Sequence, residues 1–362
     1  MKIGILTYHR AENYGAELQA VALRQYLTKQ GAKVSFIDYY PDYHKKIYKL
    51  PVIPWKKIIR HPFRHKFFIK EYIYKYFRKR SFSKFQKKHI NPYCAKKSDE
   101  FDAIIYGSDQ IWRKQPILND YNPIYFGFHH IKTKKHFSYA ASTDSPPQNN
   151  EDKIRFKKLL KGLDTISVRE TTLLNSIKEL GYDSVVSLDS AFLLSKEEWI
   201  KTLNLKKKDE EKYVLVYDLH EIFDYQAILN NAKENHLKVK RLIGKANLQL
   251  KDTAYITAGP TDFMEMVMNA ECVITNSFHG LVFSLIFQKP VFATSLPQIE
   301  DRIFSLLNLI KHPELYKPLN EISSCIPKDI DYDDINKRID IVKEASYQYL
   351  DNIKKKLIDS KI

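Results

Sequence analysis

His279 is the side chain of this sequence best suited to move a proton, because an imidazole titrates near neutral pH. It stands in the run Val273–Gly280. The first residues, Val273–Thr275, have an apolar β pattern, and Leu281–Phe287 behind them suits a buried helix that Lys289 and Pro290 would stop. The polar cluster Asn276, Ser277, His279 and Gly280 therefore falls where a strand ends and a helix begins. Such a junction offers free backbone N–H groups and the positive end of a helix dipole, both of which favour a phosphate or a carboxylate. Asn276 and Ser277 can also cap the helix. The same residues fit a plain capped turn around a buried histidine, and both readings stand at this point.

Other polar residues recur at strand ends. Arg169 and Glu170 follow the β run Thr165–Val168. A guanidinium there can clamp a phosphate or carboxylate bidentately; the alternative is a surface pair with Glu170, which would contribute little. Ser108, Asp109 and Gln110 follow Phe101–Tyr106, where Asp109 either binds substrate hydroxyls or caps a helix. His136–Ser142 is another short β run with a small-residue exit. Asn13 and Tyr14 lie in the loop after the first strand, Ile3–Thr7.

The elements that must position these groups follow from periodicity. Ala16, Ala20, Leu23 and Leu27 share one face of a helix, and Val34–Asp38 is the next strand. Strand, helix and strand make a βαβ unit, which implies a parallel sheet whose ligands gather at its carboxyl edge. The loop His9–Ala16 has no GxGxxG, so a dinucleotide is not expected. Val185–Leu194 reads as the last strand of a first domain, and the charged stretch Lys206–Lys212 as a linker. Tyr213–Tyr217 restarts the βα pattern, followed by a strand Leu237–Ile243, a turn Gly259–Asp262 before the helix Phe263–Ala270, and Val291–Thr294 after Pro290. Ile335, Ile339, Val342, Tyr349, Ile353 and Leu357 mark an amphipathic helix or two at the end. The 362 residues thus divide into domains 1–205 and 206–325 and a helical tail 326–362.

Residues 44–90 differ in kind. They carry 12 lysines and 4 arginines against the single acid Glu71, nearly the whole formal charge of +16. Aromatics are interleaved, and Phe67–Phe77 has a helical pattern. A basic aromatic insertion (44–98 at its widest) could lie on an anionic membrane face, at about 1 kcal/mol per nearby cation. It could also be a solvated face with its aromatics packed inward. No nucleic-acid motif accompanies it, so nucleic acid is not expected. His61 and His65 lack a third ligand, and Cys94, Cys272 and Cys325 form no CxxC pair, so no metal site or disulfide framework is expected. With no apolar run of about 18 residues and no signal-peptide pattern, the expectation is a cytoplasmic protein, peripheral to the membrane at most.

Taken together, Asn13–Ala16, Tyr106–Trp112, Ser138–Ser142, Ile166–Glu170, Leu188–Leu194 and Asn276–Gly280 resemble the motifs of the polysaccharide pyruvyl transferase family, in family order over roughly residues 1–310. The resemblance implies an α/β protein of two Rossmann-like domains facing a cleft, as in glycosyltransferases of the B type. It implies transfer of a pyruvyl (carboxyethylidene) group from phosphoenolpyruvate to a sugar, forming a cyclic ketal, with phosphoenolpyruvate a co-substrate and no cofactor. By similarity, His279 and Arg169 take part in catalysis and donor binding. Their places at the strand ends put Asn276, Ser277 and Gly280 at the donor, and Asn13, Tyr14, Asp109 and Gln110 toward the acceptor, a lipid-linked oligosaccharide or polysaccharide, with Asp109 a third catalytic candidate. Some members carry an arginine two residues before the histidine, where this chain has Ser277; Arg302 or Lys245 could supply that charge. A nucleotide-sugar glycosyltransferase on the same architecture is the alternative, and a non-catalytic binder using residues 44–90 the third.

Overall fold

The computed structural model describes residues 1–50, 59, 62–208, 211–243, 257–296, 301–328 and 330–359, with only the backbone described over 62–71. The His61–His65 pair and Lys245 fall outside the described side chains. The strands are β1 (Lys2–Leu6), β2 (Lys33–Phe36), β3 (Ala103–Tyr106), β4 (His136–Ser138), β5 (Ser167–Val168), β6 (Val185–Val186), β7 (Tyr213–Asp218), β8 (Lys238–Ile243), β9 (Cys272–Thr275) and β10 (Val291–Ala293). The helices are α1 (Tyr14–Lys29), α2 (Asp42–Ile47), α3 (Pro62–His89), α4 (Asn150–Leu160), α5 (Thr171–Glu179), α6 (Lys196–Leu203), α7 (Tyr225–Glu234), α8 (Pro260–Asn269), α9 (Phe278–Ile286), α10 (Asp301–Leu309), α11 (Leu319–Ile322) and α12 (Tyr332–Asp359).

Two parallel sheets result. The first has the order β2-β1-β3-β4, with Ile3 opposite Val34 and Ile5 opposite both Phe36 and Ile105. Single parallel bridges, Phe137 to Thr165 and Ala141 to Val168, carry it on to the β5–β6 pair. The second has the order β10-β9-β7-β8. Its strands β7 and β9 are buried at every residue, as expected where helices cover both faces. This is the α/β architecture of two Rossmann-like domains anticipated above. One element differs, and one is settled between the two options left open. The run Val185–Leu194 holds only a two-residue strand, because Asp189 accepts a hydrogen bond from the Ala191 N–H and turns Ser190–Leu193 into a 3-10 helix. The C-terminal apolar pattern is one helix, α12.

Helix α3 lies wholly within the basic insertion, begun by Pro62 at a position where a missing N–H costs nothing. Both sides of its composition are used. Phe82 and Phe85 are buried in the main core, while Ile73, Tyr76 and Phe77 stand exposed among the cations. Tyr14 is stacked between Phe82 of α3 and Phe263 of α8, at ring separations of 5.3 and 5.0 Å. These contacts join the first domain, the insertion and the second domain. No helix among the described residues is long and apolar enough to cross a membrane.

Helix α12 also ties the domains. At its start the Tyr332 hydroxyl donates to the Lys289 carbonyl of the second domain. Further on, Ser346 Oγ accepts from the Leu188 N–H at 2.9 Å and the Tyr349 hydroxyl donates to the Ser138 carbonyl at 2.7 Å. Tyr349→Phe strands that carbonyl and should lower stability by about 1–2 kcal/mol, measured as a shift of the urea midpoint without a change of slope.

Candidate active site

The carboxyl ends of both sheets meet at one buried charge cluster. Asp189, after β6, is its centre. One carboxylate oxygen accepts from Arg169 Nη1 at 2.7 Å and from Ser108 Oγ at 3.1 Å, and lies 3.5 Å from His279 Nε2. Arg169 also donates from Nε to Glu170 at 3.0 Å and from Nη2 to Ser142 Oγ at 2.6 Å, and its guanidinium lies 4.1 Å from the Phe278 ring centre. Asp189, Arg169 and Glu170 are all buried. Burial by itself would raise the Asp189 pKa, but His279 and Arg169 outweigh it and hold the carboxyl at about 2. Burial dominates at Glu170 and pushes its pKa up, against the opposing pull of Arg169. Arg169 is thus neither a surface residue nor a free clamp: two carboxylates already engage it.

His279 reaches this cluster from the second domain. It sits in the first turn of α9, capped by Ser277, whose Oγ accepts from the Gly280 N–H at 3.3 Å. Two glycines permit the approach. A Cβ on Gly15, in the first turn of α1, would lie 1.9 Å from His279 Nδ1. A Cβ on Gly280 would lie 2.3 Å from Thr275 Oγ1. The imidazole is therefore pressed between the α1 N-terminus and Asp189, across the domain boundary.

Arg302, in the first turn of α10, is the second cation. α10 docks on the start of α5, where Ser305 Oγ accepts from the Thr171 N–H at 3.3 Å and Thr172 bonds Asp301. Arg302 Nε is buried without a hydrogen-bond partner among the described residues. Burial first, then the like charge of Arg169, lowers the Arg302 pKa to about 10, against the pull of Glu170, Asp109 and Asp144. A buried, incompletely paired guanidinium beside a second arginine is an environment that an incoming anion would relieve.

A family model described as polysaccharide pyruvyl transferase matches residues 13–296. The chain belongs to the polysaccharide pyruvyl transferase family. Among solved structures, the UDP-N-acetylglucosamine 2-epimerase of Rickettsia bellii aligns over 98% of this chain and 96% of its own at 12% identity and a TM-score of 0.49. The UDP-GlcNAc 2-epimerase of Methanocaldococcus jannaschii, in complex with UDP-GlcNAc and UDP, aligns over 95% and 93% at 12% identity and a TM-score of 0.41. An E. coli heptosyltransferase with ADP aligns over 94% and 100% at 10% identity and a TM-score of 0.38. No curated protein matches the chain.

In this pyruvyl transferase, His279, Arg169, Ser277, Gly280 and Arg302 come together with Asp109. Asp109 is buried after β3, accepts from the Gln110 N–H at 2.7 Å, and acts electrostatically on both Arg169 and Arg302. Gln110 is beside it and partly exposed. Three other residues have structural partners. Asn276 is buried, accepting from the Leu219 N–H and donating to Asp218, both at 2.6 Å. Asn13 caps α1, accepting from the Ala16 N–H at 3.2 Å. Tyr14 has no exposed surface and donates to the Ala258 carbonyl at 3.0 Å, a packing position and not an acceptor-facing one. The transferase gives site roles to residues that sequence reasoning either named without one, Ser108 and Glu170, or passed over, Asp189, Ser142 and Gly15. All five lie inside the motifs quoted above, so the signal was present as pattern but not as role.

The transferase has one metal-like cluster among its described residues, His9, Asp38 and Cys94, with ligand atoms within 4.8 Å of one another. Arg10 already holds both Asp38 oxygens, at 2.8 and 2.9 Å, so that carboxylate is neutralised without an ion.

Proposed function

We propose that this transferase moves the carboxyethylidene group of phosphoenolpyruvate onto two hydroxyls of a sugar in a cell-surface or exopolysaccharide precursor, forming a cyclic ketal and releasing inorganic phosphate. The observation that carries the reading is Arg302. A donor with two anionic groups, a carboxylate and a phosphate, needs a cation that is not already paired, and Arg302 Nε lacks a partner among the described residues. The starts of α5 and α9 add oriented N–H groups nearby.

The chemistry divides among named groups. A general acid protonates the methylene carbon of the donor while a sugar hydroxyl attacks the adjacent carbon. His279 is the group that can deliver the proton, with the Asp189 carboxylate 3.5 Å from Nε2 to balance its charge. Asp109 faces the attacking hydroxyl from the first domain. The second hydroxyl then displaces phosphate. In the balance, one hydroxyl proton ends on the new methyl group and the other leaves with phosphate.

Two measurements test this. Phosphoenolpyruvate at about 100 times its dissociation constant should add roughly 2.7 kcal/mol, a rise of a few degrees in Tm, and Arg302→Ala should abolish the rise. A rise with UDP or GDP instead would transfer the assignment to a nucleotide-sugar glycosyltransferase. His279→Ala should cut turnover by about 10²–10⁴; full turnover in that variant would remove the histidine from the scheme.

A further inference from the structure

Two open cavities adjoin along α3. One, of about 440 Å³, lies at the carboxyl ends of β1 and β2 and is lined by Arg10, Glu12, Asp38, Tyr40, Lys79 and Gln86. The other, of about 700 Å³, is lined by Tyr76, Phe77, Arg80, Lys84 and Lys87. Lys79 and Ser83 border both, so the two make one groove. Each part alone has the size of a small-molecule site, about 300–1,000 Å³. Together they suit a chain of several sugars.

The two ends differ chemically. The inner part offers Glu12, the Gln86 amide and the Tyr40 phenol, which suit neutral hydroxyls, and its cations Arg10 and Lys45 are already paired, with Asp38 and Asp42. Gln86 is held from beneath by the buried carboxyl of Glu17. Asp38 adds little charge there because Arg10 occupies it. The outer part offers two exposed rings, Tyr76 and Phe77, on which sugar faces can stack. It also offers Arg80, Lys84 and Lys87, which no carboxylate pairs with among the described residues.

The inner end lies beside the reaction centre. The Glu12 carbonyl accepts from Arg78, which also donates to the Tyr14 hydroxyl. Gly15, against His279, is three residues further along the chain, a span of at most about 10 Å.

We propose that this groove is the acceptor subsite, and that its occupant is an oligosaccharide bearing an anionic group, a phosphate or a carboxylate. The sugar to be modified sits inward at Glu12 and Gln86, and the anion lies outward on Arg80, Lys84 and Lys87. That the occupant is a glycan rests on the pyruvyl-transfer reading; the site itself rests on the groove.

The test uses the full chain and calorimetry at fixed ionic strength. The probes are tetragalacturonate for the carboxylate, inorganic pyrophosphate for the phosphate, maltotetraose as a neutral chain, and vesicles of anionic phospholipid. Binding of one or both anionic probes is expected, at least ten-fold tighter than maltotetraose. That binding should fall at least ten-fold in Lys84→Glu/Lys87→Glu, or in Lys87→Glu alone if the double variant does not fold, and should persist in Arg302→Ala. Which anionic probe binds identifies the anion. The proposal is overturned if neither anionic probe binds, if the neutral chain binds equally well, or if the lysine variants bind as the wild type does. Vesicle binding that the lysine variants abolish, with no soluble probe bound, would make the face a membrane contact. The Tm rise with phosphoenolpyruvate should survive the lysine changes; its absence in the wild type, with groove binding intact, would strike the donor assignment and leave the groove.

Discussion

Gly15→Ala is expected to destabilise the protein by about 1–3 kcal/mol, the usual cost of overpacking, and to reduce turnover at least as severely as loss of His279. Helix propensity alone predicts the opposite sign, because alanine is better than glycine inside a helix by about 1 kcal/mol. The contact decides. The new methyl carbon would lie 1.9 Å from Nδ1 and 2.1 Å from Cγ of His279. His279 is hemmed in by Phe278 and Phe283, with ring centres 5.2 and 6.4 Å away, so the ring cannot simply swing clear. Either the imidazole leaves Asp189 or the two domains separate. Melting temperature and turnover, measured on the same preparation, check both halves. A Gly15→Ala protein with raised Tm and full activity would show that α1 does not press on His279.

Arg169→Met is the second large effect. It removes the cation from between two buried carboxyl groups, Asp189 and Glu170, while keeping an unbranched side chain of similar reach. Breaking a buried pair in this way costs about 3–5 kcal/mol. The pH dependence separates charge from packing. In the wild type the Asp189 pKa is held at about 2, below its ordinary value near 3.8. A depressed carboxyl contributes stability that is present above the ordinary pKa and lost as pH falls through the folded one. The variant loses the cation that helps hold the pKa down, so its deficit should be largest at neutral pH and shrink toward pH 4 and below, as Asp189 protonates in the variant's folded state. Urea unfolding at pH 7 and pH 4 measures it. A deficit of equal size at both would assign the loss to the guanidinium's contact with Phe278, not to its charge. Arg169→Lys should recover only part, since one ammonium nitrogen cannot stand in for the three separate nitrogens that reach Glu170, Asp189 and Ser142.

The fold was legible in the sequence where one rule governed one element. The alternation of apolar runs with helical periods named β1, α1 and β2 and restarted at Tyr213, and parallel topology followed because a helix between two strands carries the chain back to the same end of the sheet. The stretch around His279 was placed at a strand-to-helix junction, which is where β9 and α9 meet. The basic insertion was recognisable by charge, but its division into buried Phe82 and Phe85 and exposed Tyr76 and Phe77 was not, because both sets are aromatics at helical spacing.

For the site, residue types and local spacing determined which strand ends were polar and which side chains could carry a proton or an anion. They could not determine partners, since these are distant in the chain. Arg169 looked like a free clamp or a surface pair with Glu170; Asp189 and Ser142 came to it only when β4, β5 and β6 were laid side by side. Asn13, Tyr14 and Asn276 looked available for ligands because they are polar residues in loops, yet local capping and domain packing claimed all three. Gly15 fell inside the loop His9–Ala16 with no role of its own, and its need to be glycine arises from a histidine 264 residues away. A sequence specifies short-range geometry through backbone preferences that act within a few residues. Which buried charges meet is decided by the packing of two domains, and only the folded chain brings those groups within hydrogen-bonding distance.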